Sequence, residues 1–215
     1  MKINTVLFDL DGTLIDTNGI IIAAFKHTFE TFVPEVEYDL EVFKSFIGPS
    51  LHETFGKYVD KETVLEMIKE YRNYYTKYEF DYFKIYPNVL EVLKELKKRG
   101  YLLGIVTTKY EEAARPSFDH YEMGQYFDCF VALDHVKNPK PNREPIDVAL
   151  AQLNHTGAIM IGDNQGDVLA GQNAGILSCG VGWSFKGREY LEAVNPDYML
   201  NDMYDLLDIL DKLNA

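Results

Sequence analysis

Apolar residues gather along the chain in two kinds of pattern. Short, unalternating runs at Thr5–Phe8, Tyr101–Val106, Phe130–Leu133, Ala158–Ile161 and Ile176–Val181 predict five strands buried on both faces. Between them the apolar positions recur at helical spacing. Val89, Leu90, Leu93 and Leu96 form one stripe, with Lys94, Lys97, Lys98 and Arg99 towards its end and Gly100 closing it. Ile146, Ala149, Leu150 and Leu153 form another. Alternation of such strands with helices predicts an α/β fold, a doubly wound parallel sheet covered on both sides.

One stretch breaks this alternation. From residue 16 to 85 no strand pattern is convincing, while Ile21, Ala24, Phe25, Thr28, Phe29 and Phe32 fall on one helical face. Val64, Met67, Ile68, Tyr71, Tyr75 and Tyr78 form a second stripe, with Asp60 and Thr63 placed to cap it. The aromatic richness of Tyr71–Phe83 fits helix packing. The expected organisation is an α/β core from 1–15 and 86–215, with 16–85 inserted as a helical cap over an active site.

Composition narrows the choice of partners. The 215 residues are 47% hydrophobic and 26% charged, an ordinary globular balance. A formal net charge of −13 repels phosphate backbones and anionic lipid, so neither nucleic acid nor membrane is expected as a partner. No window approaches the roughly 20 apolar residues of a membrane span. Cys129 and Cys179 lie in apolar runs and read as buried free thiols. Together these features predict a soluble cytoplasmic protein, monomer or homodimer, with a small-molecule substrate.

Ligands of an open parallel sheet bind beyond the carboxyl ends of its strands. Those ends carry Asp9 and Asp11, then Thr107–Thr108–Lys109, then Asp134, then Asp163 and Asp167, with Lys140 a few residues past the third. Asp9 and Asp11 share a tight turn made possible by Gly12. Carboxylates so close repel unless a cation lies between them or one keeps its proton. Hard oxygen donors in this number suit Mg²⁺. The five histidines are scattered and no His/Cys cluster appears, which argues against zinc.

These residues carry a specific resemblance. Asp9–Leu10–Asp11–Gly12–Thr13 after a strand, Thr107 after a second, Lys140–Pro141 before a helix and Gly162–Asp163–Asn164–Gln165–Gly166–Asp167 after another resemble, in order, the four motifs of the haloacid dehalogenase-like hydrolase superfamily. The match covers nearly the whole chain once the helical insertion is read as that family's small cap. It implies an aspartyl-phosphate mechanism: Asp9 as nucleophile, Asp11 as general acid and then base, and Lys140 neutralising nucleophile and phosphate. Asp at the second position is the phosphoryl-transfer version, not the dehalogenase one. Mg²⁺ would be held by Asp9, the Asp11 backbone carbonyl and Asp163. Thr107, Thr108, Lys109, Gly48 and Lys140 would bind substrate, with Thr13 and Asp167 supporting the site from behind, Asp167 by orienting Lys140 or a metal-bound water.

Within the superfamily the chain is most similar to the phosphoglycolate phosphatases and bacterial pyrophosphatases. Ile47–Gly48–Pro49, Thr107–Thr108–Lys109 and Ala170–Gly175 carry that likeness, and Lys186–Leu191 leading to Pro196–Asp197–Tyr198 leans to the pyrophosphatase side. The implied reaction is hydrolysis of a phosphoglycolate-type monoester or of pyrophosphate. A sugar phosphomutase and a non-enzymatic phosphate-binding module remain as alternatives. Two departures stand out. Arg143 replaces a customary proline of the third motif, which touches loop shape but not the lysine, and Pro116 should kink or shorten the helix after Thr107. Lys186 and Arg188 read most simply as a solvated approach to a helix.

Overall fold

A computed structural model describes residues 2–35, 39–47 and 50–215. Gly48, assigned to substrate binding by resemblance, lies outside the described residues. The chain forms β1 (Thr5–Phe8), β2 (Ile15–Asp16), α1 (Asn18–Phe32), α2 (Leu40–Phe46), α3 (Leu51–Phe55), α4 (Lys61–Tyr82), β3 (Lys84–Ile85), α5 (Val89–Lys98), β4 (Leu102–Val106) and α6 (Glu111–His120). It continues through β5 (Cys129–Val131), α7 (Glu144–Gln152), β6 (Ala158–Gly162), α8 (Gln165–Ala174), β7 (Leu177–Val181), α9 (Arg188–Glu192), β8 (Tyr198–Leu200) and α10 (Asp205–Asn214). Two compact units result: residues 1–16 with 85–215, and residues 17–84.

The first unit is built on a six-stranded sheet of order β5-β4-β1-β6-β7-β8. Every pairing is parallel, with Leu7 opposite Gly104 on one side and Met160 on the other. This is the expected doubly wound α/β core. Leu7, Val106, Val131 and Met160 pack on one face with Ile146, Ala149 and Ala170 of α7 and α8. Their strand neighbours Val6, Phe8, Ile105, Ile159 and Ile161 point to the other face and are equally inaccessible, so both faces are covered. Strand order reverses around β1, which puts the ligand crevice at its carboxyl end.

Details depart from the pattern read along the chain. Leu133 leaves the strand to open a 3-10 turn, its N–H bonding the Lys109 carbonyl, so β5 ends at Val131. In α5 the structure buries Val92 in place of Leu90. Strand β8 is three residues long at the sheet edge, too short to announce itself by periodicity. Pro116 does not cut α6 short: the helix runs on to His120, although Pro116 has no N–H to donate.

The second unit is helical throughout its described elements. Ala24, Phe25 and Phe29 of α1 pack with Phe46, Phe55 and with Val64, Met67, Ile68 and Tyr71 of α4. Phe25 lies 5.0 Å from Phe46 and 4.8 Å from Tyr71 between ring centroids. Asp60 caps α4 by accepting from the N–H groups of Glu62 (3.0 Å) and Thr63 (2.9 Å). Further along α4, Phe80 and Tyr82 are exposed, so only part of its aromatic run is core.

Candidate active site

The site is assembled within the α/β unit from four strand ends. Asp9 follows β1 directly, and its N–H extends the ladder by donating to the Ile161 carbonyl at 2.9 Å. The chain then turns sharply. Leu14 and Ile15 both donate to the Leu10 carbonyl, and Gly12 donates to Ile15 at 2.8 Å. Gly12 holds φ +79°, and a Cβ there would run into the Asp163 carboxylate. Backbone conformation and clearance thus both demand glycine.

Lys140 reaches the end of β1 from the loop before α7. Its ammonium, with a side chain only 2% exposed, donates to Asp9 Oδ1 at 2.8 Å, Asp167 Oδ1 at 2.5 Å and the Val106 carbonyl at 2.7 Å. Asp167 sits in the first turn of α8, where its Oδ2 accepts from the Asn164 N–H at 2.9 Å. Asn164 in turn accepts from Gly166, a reciprocal cap that locks the segment carrying Asp163. Ser184 adds a donor from its hydroxyl to the Asp163 carbonyl at 2.7 Å.

The second motif closes the other side. The Thr107 N–H bonds the Val131 carbonyl, and its hydroxyl accepts from the Lys109 N–H at 3.2 Å. Lys109 Nζ lies 3.3 Å from Asp11 Oδ1, both side chains partly buried. Asp9, Asp11, Lys109, Lys140, Asp163 and Asp167 thus form a connected set, with Thr107 at its edge. Thr108 is exposed and, among the described residues, joins none of the site's hydrogen bonds. The buried Thr13 hydroxyl has no partner among the described residues, and its carbonyl accepts from Trp183 Nε1 at 3.3 Å.

One expectation for a neighbouring residue changes. Asp134 does not join the crevice but caps α6, accepting from the Glu111 N–H at 2.9 Å while exposed. That hydrogen bond holds its carboxyl below the usual range. Arg143 is exposed and paired with Asp147 at 2.6 Å, spending its charge along α7 rather than at the lysine beside it. The Val106 carbonyl, a third acceptor for Lys140, carries no sequence signal. The Asn164–Asp167 cap does carry one, in its spacing.

Electrostatics make the set demanding. Carboxylate oxygens of Asp9, Asp163 and Asp167 lie within 4.8 Å of one another. Burial pushes Asp9 up to about 7, aided by repulsion from Asp167 and Asp11 and opposed by Lys140. Burial and the charges of Asp9 and Asp167 also raise Asp163 well above the carboxylate range. Burial works against the Lys140 ammonium, yet Asp167 and Asp9 outweigh it and hold its pKa above the ordinary value. With Asp11 matched by Lys109, the carboxyl groups of buried Asp9 and Asp167 and of half-buried Asp163 face one ammonium. The raised pKa values of Asp9 and Asp163 mean that this crowding favours protons when no cation is bound; ionised, the all-oxygen donor set leaves two negative charges beyond the ammonium, which fits a divalent hard cation.

The comparisons agree with this geometry. A family model described as haloacid dehalogenase-like hydrolase matches residues 6–181. A curated relative, Pyrophosphatase PpaX of Bacillus cereus (strain B4264), is 46% identical over 100% of this chain and 99% of its own length. The crystal structure of a predicted phosphatase from Clostridium acetobutylicum superposes with a TM-score of 0.82 at 32% identity, covering 98% of this chain and all of that one. A predicted phosphoglycolate phosphatase from Haemophilus somnus gives a TM-score of 0.86 at 20% identity, over 97% and 98% of the two chains, which speaks to the fold alone. The chain belongs to the haloacid dehalogenase-like hydrolase family and is a phosphatase.

Proposed function

We propose that the chain is a Mg²⁺-dependent pyrophosphatase that works through an aspartyl phosphate on Asp9. The observation that carries this reading is the Lys140 ammonium bonded at once to Asp9 and Asp167 at the end of β1. A carboxylate cannot approach a phosphate unless positive charge lies between them, and this lysine is buried where that charge is needed. Substrate choice draws support from the 46% identity to a protein named as a pyrophosphatase.

In this reading an Asp9 oxygen attacks one phosphorus in line, and the bond from that phosphorus to the bridging oxygen breaks. Asp11 gives its proton to the departing oxygen, so orthophosphate leaves. Asp11, now a base, takes a proton from a water that attacks the aspartyl phosphate, releasing the second orthophosphate and restoring Asp9. Lys109, 3.3 Å from Asp11 Oδ1, orients that carboxyl group. Thr107 and the backbone N–H groups of the β1 turn hold the transferred oxygens. Asp9, the Asp11 carbonyl and Asp163 would hold Mg²⁺, whose positive charge would offset the negative charge of the nucleophile and the phosphate. The role given to residues 17–84 is that of a cap, admitting substrate and keeping stray water from the intermediate.

The test is phosphate release from pyrophosphate, phosphoglycolate, sugar phosphates and an aryl phosphate, with Mg²⁺ or EDTA. Pyrophosphate should lead by kcat/KM, chelation should abolish turnover, and Asp9→Asn should be inactive. Full activity in Asp9→Asn overturns the mechanism, and a leading phosphomonoester overturns the substrate.

A further inference from the structure

We infer that Lys186, seated on a Tyr190 ring that is bonded to the segment after Asp163, binds the non-transferred phosphoryl group of a phosphoanhydride substrate. The inference rests on the phosphatase reading above and deepens it. It begins from an inventory of cations. Lys140 has three acceptors within the site, and Lys109 faces Asp11. A monoester brings one dianionic group, but pyrophosphate brings a second phosphoryl whose charge needs its own counterpart.

Lys186 is not the solvated residue its sequence context suggests. It is half-buried and, among the described residues, has no carboxylate within ion-pair distance. Its Nζ lies 4.8 Å above the Tyr190 ring and 3.5 Å from the Tyr190 hydroxyl. Tyr190 is tied twice to the segment after Asp163: its hydroxyl donates to Asn164 Oδ1 at 3.0 Å, and its carbonyl accepts from Gln165 Nε2 at 2.6 Å. The Lys186 N–H donates to Ser184 Oγ at 3.3 Å, and Ser184 donates onward to the Asp163 carbonyl. Both ends of this lysine are therefore referenced to the metal-facing segment.

Neighbouring Arg188 shows the contrast. Its guanidinium is taken by Glu192 at 2.6 Å and Asn201 at 2.7 Å. Among the described residues, by contrast, no carboxylate pairs with the Lys186 ammonium, and its one side-chain hydrogen bond runs to the Tyr190 hydroxyl. Burial lowers its pKa, and the Asp163 carboxylate acts in the opposite direction. A flexible point charge on an aromatic seat suits a phosphoryl oxygen.

The decisive measurement is calorimetric titration of inorganic pyrophosphate and of orthophosphate, with Mg²⁺, into the Asp9→Asn protein with and without Lys186→Met. We expect Lys186→Met to weaken pyrophosphate at least tenfold and orthophosphate less than threefold, with Lys186→Arg recovering most of the loss. In the Asp9-intact enzyme, the pyrophosphate to aryl phosphate ratio of kcat/KM should fall at least tenfold, mainly through KM. Equal losses for both ligands, no loss, or no preference for pyrophosphate before the change would each overturn the inference. Because binding is read without turnover, failure of the nucleophile assignment is seen separately, as activity surviving in Asp9→Asn.

Discussion

Replacing Lys140 with methionine removes a buried charge while nearly keeping its shape, and the structure sets the size of the response. The side chain is 2% exposed and donates to two carboxylates, 2.8 and 2.5 Å away, and to the Val106 carbonyl at 2.7 Å. Stripping one partner from a buried ion pair costs about 3–5 kcal/mol, because the charge left behind is uncompensated. The orphaned carbonyl adds part of its own 1–3 kcal/mol desolvation cost, roughly, to that figure. At about 2–4 °C per kcal/mol for a chain of this size, the metal-free protein should lose on the order of 10 °C in Tm at pH 8. Asp9, whose carboxyl is already pushed up to about 7, can relieve the repulsion by taking up a proton, so the deficit should shrink at pH 5.5. Trp183, the chain's one tryptophan, belongs to the α/β unit and reports on it by fluorescence during melts in EDTA. Pairing the change with Asp167→Asn should recover about 1–3 kcal/mol as coupling. A Tm within about 2 °C of wild type at pH 8, with no pH dependence of the difference, refutes the reasoning.

Other consequences follow from the same geometry. The raised Asp9 pKa favours the metal-free fold most below its ordinary 3.8, and that contribution is lost as pH climbs to about 7. Stabilisation by added Mg²⁺ should therefore be larger at pH 8 than at pH 5.5; thermal melts across pH check this, and a flat response counts against it. Burial pushes Cys129 up to about 12 from 9.0 and raises Cys179 further, so neither thiol should react with an aromatic disulfide at pH 8 until the protein unfolds. The same shifts mean stability is full below pH 9 and falls above it by about 1.4 kcal/mol per pH unit per thiol, measurable by urea titration. Gly12→Ala forces a Cβ into a left-handed turn and against Asp163, and should cost about 1–3 kcal/mol together with most of the activity. Circular dichroism melts and phosphate release read both effects.

Much of the fold was legible because buried parallel strands leave continuous apolar runs. Thr5–Phe8 forms β1 as read, and β4, β6 and β7 differ from their runs by a residue at one end. The helical faces of α1 and α4 followed from spacing, since each packs one stripe against the other. The failures share a cause. Leu133, Leu90 and Asp134 satisfy local patterns, but hydrogen bonds or packing from distant segments decided their places: Lys109 for the first and Glu111 for the last.

The candidate site divides in the same way. Residue order along the chain was enough to mark Asp9, Asp11, Thr107, Asp163 and Asp167 as chemical groups at strand ends, because strand and helix periods say where a strand stops, while Lys140, in a loop, was marked by its motif. Periodicity is local, however, and charge balance is not. Lys140 lies 131 residues from Asp9 and 27 from Asp167, and only the assembled sheet brings all three within hydrogen-bond reach. Lys186 shows the converse, a residue that looked solvated until packing against Tyr190 half-buried it. Sequence alone determined which groups exist and where along the chain each element ends; tertiary structure decided which charges are neutralised and which remain for a ligand, since desolvation and Coulomb energy depend on distances that no local pattern encodes.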